Sequence, residues 1–128
     1  MDEPPFILDA ASVVEFTILD LSGAGARFSF VAGGVSIDAR SVSRLAMTRS
    51  LMDDAVFLLH CSDRWETVAA EPFAGIESAE RAAAAAYAGI ALRWNKYREL
   101  TPAEESEMRT TRSFLRELAA EGGEGAAP

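Results

Sequence analysis

His60-Cys61 is the pair of neighbouring side chains best suited to chemistry, since a thiolate is a strong nucleophile and an imidazole can take its proton. The two lie in what reads as a β-strand, where successive side chains point to opposite faces, so thiol and imidazole diverge. His60 is the only histidine and Cys61 the only cysteine. Activating Cys61 alone would need positive charge beside it, and Arg64, across a short loop, is the nearest source. Both residues therefore read as core or sheet-surface positions. No Ser-His-Asp set or carboxylate pair can be assembled, and no catalytic residue is assigned.

A metal centre needs several converging ligands. His60 with Asp63, or Asp53 with Asp54, supplies only fragments, and neither His-x-x-x-His nor Cys-x-x-Cys spacing occurs. The glycines at Gly23, Gly25, Gly33 and Gly34 lead into strands, whereas a phosphate cradle needs amides converging at a helix start. No metal or cofactor is expected. The cluster with binding character is the run from Arg93 to Arg98, where Arg93, Lys96 and Arg98 interleave with Trp94 and Tyr97. Such a composition can hold acidic or phosphorylated groups, or form an interface in which Trp, Tyr and Arg concentrate binding energy. The competing reading makes Trp94 and Tyr97 two core anchors on one helical stripe, with a solvated basic rim.

The elements that must position these residues change rhythm near Pro72. Before it, Val13–Leu21 alternates as a strand, with Val14, Phe16 and Ile18 on one face and Glu15 and Thr17 between them. Ser22–Ala26 is a turn, Arg27–Val31 a returning strand with Phe28 and Phe30 on one side, and Gly33-Gly34 a second turn opening a strand with Val35 and Ile37. Residues 42–49 suit either a strand or one helical turn, the strand being preferred. Ser50–Asp54 is a loop. Val56–Cys61 is a nearly continuous apolar run that implies burial on both faces. Ser62–Arg64 is a hairpin loop, Trp65–Ala70 returns antiparallel, and Pro72 ends the sheet.

From Ile76 the spacing is helical. Ala79, Ala83, Ala86 and Ile90 form a stripe, Glu77 and Arg81 pair at i,i+4, and Ala82–Ala86 favours helix and close packing. Gly89 is a candidate left-handed stop; otherwise the helix runs on to Tyr97. The last helix has a capping box, with Thr101 as N-cap, Pro102 at N1 and Glu104 at N3. Met108, Thr111, Leu115 and Leu118 line one of its faces, with Phe114 beside them. Gly122-Gly123 should end it, leaving 122–128 a disordered tail.

The chain of 128 residues, 49% hydrophobic, is long enough for one core. A lone cysteine, an acidic N-terminus and charges at Asp9, Glu15 and Asp20 within the first apolar stretch point to a cytoplasmic protein without a membrane span. Twenty acidic against twelve basic residues give a net charge of −8. Residues 1–92 hold a net −7, and eleven of the twelve bases are Arg, which resembles a bacterial coding bias. Such a body repels nucleic acid phosphates and anionic lipid over a Debye length of roughly 8 Å and attracts a basic protein. Excess acid also serves solubility.

The strand Val56–Cys61 ending in His-Cys, leading through Ser62-Asp63-Arg64 to Trp65, then a helix closing on Tyr87-Ala88-Gly89-Ile90 with Trp94 beyond, resembles a loose group of small bacterial proteins whose helix closes on Tyr-Pro-Gly. Ala88 replaces that proline here. The resemblance covers about forty residues and implies no activity. At the level of fold, the succession of short antiparallel strands and a C-terminal helix resembles pleckstrin-homology-like barrels; the run Val35–Leu45 has that texture.

The fold expected is α+β: an antiparallel β-meander of five or six strands over residues 13–70, then helices near 76–93 and 102–120 on one sheet face, in a single domain spanning 1–121. A pleckstrin-homology-like barrel is the alternative. The function expected is a non-catalytic protein-binding module that masks a basic partner, in the manner of an immunity or accessory protein. A homo-oligomer using its Ala-rich face comes second, and a small enzyme with a pocket near Cys61 or Trp94 third.

Overall fold

The computed structural model describes residues 3–20, 29–32, 34–38 and 41–126. The turn at Ser22–Ala26, the start of the strand at Arg27-Phe28, Gly33 and the last two residues of the expected tail lie outside them.

The architecture is a curled antiparallel sheet followed by two helices, an α+β meander shaped as an open half-barrel. Strands β1 (Ile7–Leu8), β2 (Ala11–Ile18), β5 (Arg44–Ser50), β6 (Val56–Cys61) and β7 (Thr67–Phe73) lie side by side in that order. Between β2 and β5 the chain forms a separate hairpin of β3 (Ser29–Ala32) and β4 (Val35–Asp38). Residues 44–50 are thus strand, paired to β2 through Phe16↔Ala46 and to β6 through Ala46↔Leu59.

Within the sheet, three features depart from the sequence reading. Strand β1 exists because Asp9 and Ala10 both adopt left-handed φ, 52° and 59°, making the two-residue turn that suits a twisted hairpin. Neither residue is the glycine that normally signals it. Pro72 does not end the sheet but lies inside β7, opposite Phe57. An edge strand can spare the missing N–H. The third departure is in β2, where a register shift between Val13 and Glu15 reverses the expected facing. Glu15 and Thr17 turn into the main core, 6% and 1% exposed, while Phe16 faces the other way and Ile18 is exposed.

The sheet is apolar on both sides, as the unbroken run in β6 requires. One face carries Leu45, Met47, Val56 and Leu58 and is covered by helix α1 (Ile76–Ala86), which lays Ala79 and Ala83 against it. The small alanines allow close approach, and Ile37 of β4 and Val42 extend this core. The opposite face gathers Val13, Ala46, Leu59, Cys61 and Trp65, with Phe16 meeting Trp65 edge-to-face at 5.8 Å between ring centroids.

Helix α1 stops at Ala86, short of the expected 93. The Tyr87 amide still donates to Ala83, Ile90 turns back onto the Tyr87 carbonyl, and Gly89 takes φ +90°. That conformation favours glycine and breaks the ladder, so no helix continues to Tyr97. Residues 95 and 96 instead form β8 (Asn95–Lys96), antiparallel to β2 through Glu15↔Lys96 and Phe16↔Asn95.

Helix α2 (Pro102–Ala126) starts as its sequence specifies. The Glu104 amide donates to Thr101 Oγ1 at 3.1 Å, and the Thr101 amide donates to Glu104 Oε1 at 2.9 Å. Thr101→Ala should cost about 0.5–2 kcal/mol in chemical denaturation, because the Glu104 amide loses its acceptor. An unchanged midpoint would mean the cap carries no stability. The helix does not stop at Gly122-Gly123 but continues to Ala126. Nor does it join α1 on the core face: over residues 102–121 only Met108 is buried, and Arg116 holds the helix to the sheet's end by donating to the Leu51 carbonyl at 3.1 Å. No helix among the described residues is long and apolar enough to cross a membrane.

Candidate functional site

The Arg93–Arg98 segment is extended rather than helical, which separates its aromatic rings. Trp94 packs against the α1-covered core, whereas Tyr97, three residues on, packs with the cluster on the opposite face. Tyr97 donates its hydroxyl to the Pro4 carbonyl at 2.7 Å, its amide bonds the Val14 carbonyl, and its ring meets Phe16 at 6.2 Å. Arg98 grips Glu104 with two nitrogens at 2.7 and 2.8 Å, reaches Glu3 at 3.3 Å and stacks over Tyr97. This network ties the N-terminal segment to the start of α2. It also holds the Glu104 carboxyl at about 2, chiefly through the Arg98 guanidinium and then the capping bond from Thr101. Arg93 and Lys96 are exposed. The structure therefore brings Tyr97 and Arg98 together around a tether and leaves Arg93, Trp94 and Lys96 apart from them.

His60 and Cys61 do point to opposite faces. Cys61 is sealed among Val13, Ala46, Leu59 and Trp65, and burial pushes its thiol up to about 12, far from the thiolate that reacts. His60, also fully buried, has partners that sequence spacing did not reveal. Its Nδ1 lies 2.7 Å from Tyr87 Oη and its Nε2 lies 2.9 Å from Glu71 Oε1. Burial lowers the imidazole's affinity for a proton and outweighs the opposing pull of Glu71, so the ring is held neutral. The arrangement satisfying all three groups runs one way: Tyr87 Oη–H donates to Nδ1, and Nε2–H donates to the Glu71 carboxylate. Burial in turn raises the Tyr87 hydroxyl well above the usual phenol range. The chain links β6, β7 and the end of α1. The spacing of Tyr87 from Ala83 and Ala79 places its ring on α1's core face but does not point to His60 or Glu71 as its partners.

A second polar group sits on the same sheet face. Glu15 is 6% exposed on β2, opposite Lys96 of β8. Its Oε2 is buried with no hydrogen-bond partner. Burial first, then the Glu80 carboxyl of α1 as hydrogen-bond partner and like charge, push Glu15 up to about 7, against the opposing pull of Lys96. A polar residue expected to face water is thus a half-neutralised core acid. The register shift in β2 put it there.

Helix α2 presents the most exposed large apolar side chains of the helices, Phe114 at 58% and Leu118 at 47%. Spaced i,i+4, they form one stripe. Glu107 and Glu121, seven residues either side of Phe114, and Glu117 fall along it, all exposed. Arg109, Arg112 and Arg116 repeat at three and four residues on the other flank, where Arg116 also reaches Asp54 at 3.4 Å. The helix therefore shows an apolar strip with an acidic border to the outside, while Arg112 and Arg116 turn toward the body.

Comparison with known proteins finds no matching family model, no matching curated protein and no matching solved structure. The class defined by fold and site is therefore that of an open, curled α+β sheet with a projecting amphipathic helix.

Proposed function

We propose that the chain is a non-catalytic protein-binding module whose docking element is α2, and that its partner presents an apolar anchor ringed by Lys or Arg. The observation that carries this is the exposed Phe114–Leu118 strip bordered by Glu107, Glu117 and Glu121. Apolar side chains left in water by a helix otherwise anchored at Met108 and Arg116 are surface held in reserve for a partner. The glutamate border selects a basic one, in keeping with the net charge of −8. The nucleophile and imidazole support the same reading, since Cys61, His60 and Tyr87 are all 0% exposed. The Ala-rich face is spent within the fold: Ala79 and Ala83 close against the sheet, so a homo-oligomer would have to use another surface.

The test is capture of partners from the source cell's lysate with the wild-type chain and with Phe114→Asp/Leu118→Asp. Both positions are exposed, so the variant should keep its fold, checked by its denaturation midpoint. The expected result is a basic protein retained by the wild type and lost by the variant. Retention by both, or a wild-type chain that yields only its own dimer, would contradict the proposal.

A further inference from the structure

Beneath α2, between it and β2, lies a pocket of about 310 Å³ that is open to solvent. Its apolar part is formed by Phe6, Val13, Val14, Tyr97, Leu100 and Met108, and about half of its lining is polar. Three polar residues also line it, Ser12, Arg98 and Arg112, and among the described residues no carboxylate does. The two arginines differ in kind. Arg98 is matched twice over, by Glu104 and Glu3, so its guanidinium is already engaged by carboxylates. Arg112 has no such match: its Nε is buried and has no hydrogen-bond partner. A guanidinium donor removed from water and left without an acceptor is costly, unless the acceptor is a molecule that comes and goes.

We infer that this pocket is a binding site for a small apolar monocarboxylate, the carboxylate held by Arg112 and the body of the molecule by the Phe6–Met108 walls. A guanidinium presents a planar fork that fits a carboxylate in two parallel bonds. The single unengaged guanidinium, Arg112, offers one fork and so fits one carboxylate, and the Ser12 hydroxyl can donate to a free carboxylate lone pair. The volume lies at the lower end of small-molecule sites, room for one ring with a short acidic arm. The site is independent of the exposed Phe114–Leu118 strip, which lies on the outer flank of the same helix.

Phenylacetate is the probe, with phenylacetamide, of the same shape but uncharged, as its control, both followed by calorimetric titration and by amide chemical shifts. The wild-type chain should bind phenylacetate saturably, with shifts at Ser12, Tyr97 and Met108, and bind the amide at least about tenfold more weakly. Arg112→Gln should lose phenylacetate by a similar factor while keeping its denaturation midpoint, since Nε has no partner to lose. Arg112→Lys should keep part of the affinity. The inference is overturned if phenylacetate fails to saturate the wild type up to about 10 mM. Equal binding of acid and amide, or Arg112→Gln binding phenylacetate undiminished, would overturn it as well.

Discussion

Leu58→Ala should lower stability by about 2–5 kcal/mol, the largest single loss expected in this chain. Leu58 is 0% exposed at the centre of β6, flanked by Met47 on β5 and Glu71 on β7, under the alanine face of α1. Truncation removes the transfer energy of its side chain and leaves a void that the paired strands on either side cannot close. The alanines above are already at their smallest and have no side chain to swing into the gap. The measurement is a urea titration of wild type and variant. A midpoint unchanged within error would mean that β6 is not central to the core.

Glu15→Gln should stabilise the chain at pH 8 by about 2–3 kcal/mol and leave it nearly unchanged at about pH 4. The carboxyl holds its proton to about 7 in the folded chain but only to 4.5 when unfolded. Between those values the folded state binds more protons. The Glu15 contribution to stability is therefore most favourable below 4.5, falls as pH rises through the window, and stays reduced above 7. Glutamine keeps the shape and can donate to Glu80 without ever ionising. His60 acts in the opposite sense: its lowered proton affinity makes the folded chain lose stability as pH falls below 6.5. Subtracting wild type from variant at each pH removes the His60 contribution. A difference that does not grow between 4.5 and 7 would contradict the burial of Glu15 beside Glu80.

Where one residue's neighbours in sequence decide its conformation, the fold was legible. The capping box at Thr101 and Glu104 and the unbroken apolar run of β6 are of that kind, whereas Gly89 offered a stop without deciding between it and a helix running on to Tyr97. The divergence of His60 and Cys61 followed from strand geometry alone. What escaped depends on pairing between distant segments. The shift of register at Val13/Glu15 is set by the match of β2 to β5 and reverses the facing of Glu15 and Phe16. The Glu71–His60–Tyr87 chain joins residues up to 27 apart, and no local pattern announces it. The three-residue spacing of Trp94 and Tyr97 leaves a helix running on to Tyr97 as an alternative to a stop at Gly89. The pairing of Asn95 and Lys96 with β2 made the segment a strand and sent the two rings to opposite faces. Phe114 and Leu118 belong to the apolar side of one helix, but nothing in the sequence shows that the body leaves them uncovered.

The central claim, that an acidic border on α2 draws in a basic partner, is tested most directly by the association rate of the chain with its captured partner as salt is raised. Charge attraction across that border predicts a rate that falls steeply with ionic strength. Glu107→Gln/Glu117→Gln/Glu121→Gln should flatten the dependence while the dissociation rate changes little. A rate indifferent to salt, or a salt dependence untouched by removing the three glutamates, would contradict the account.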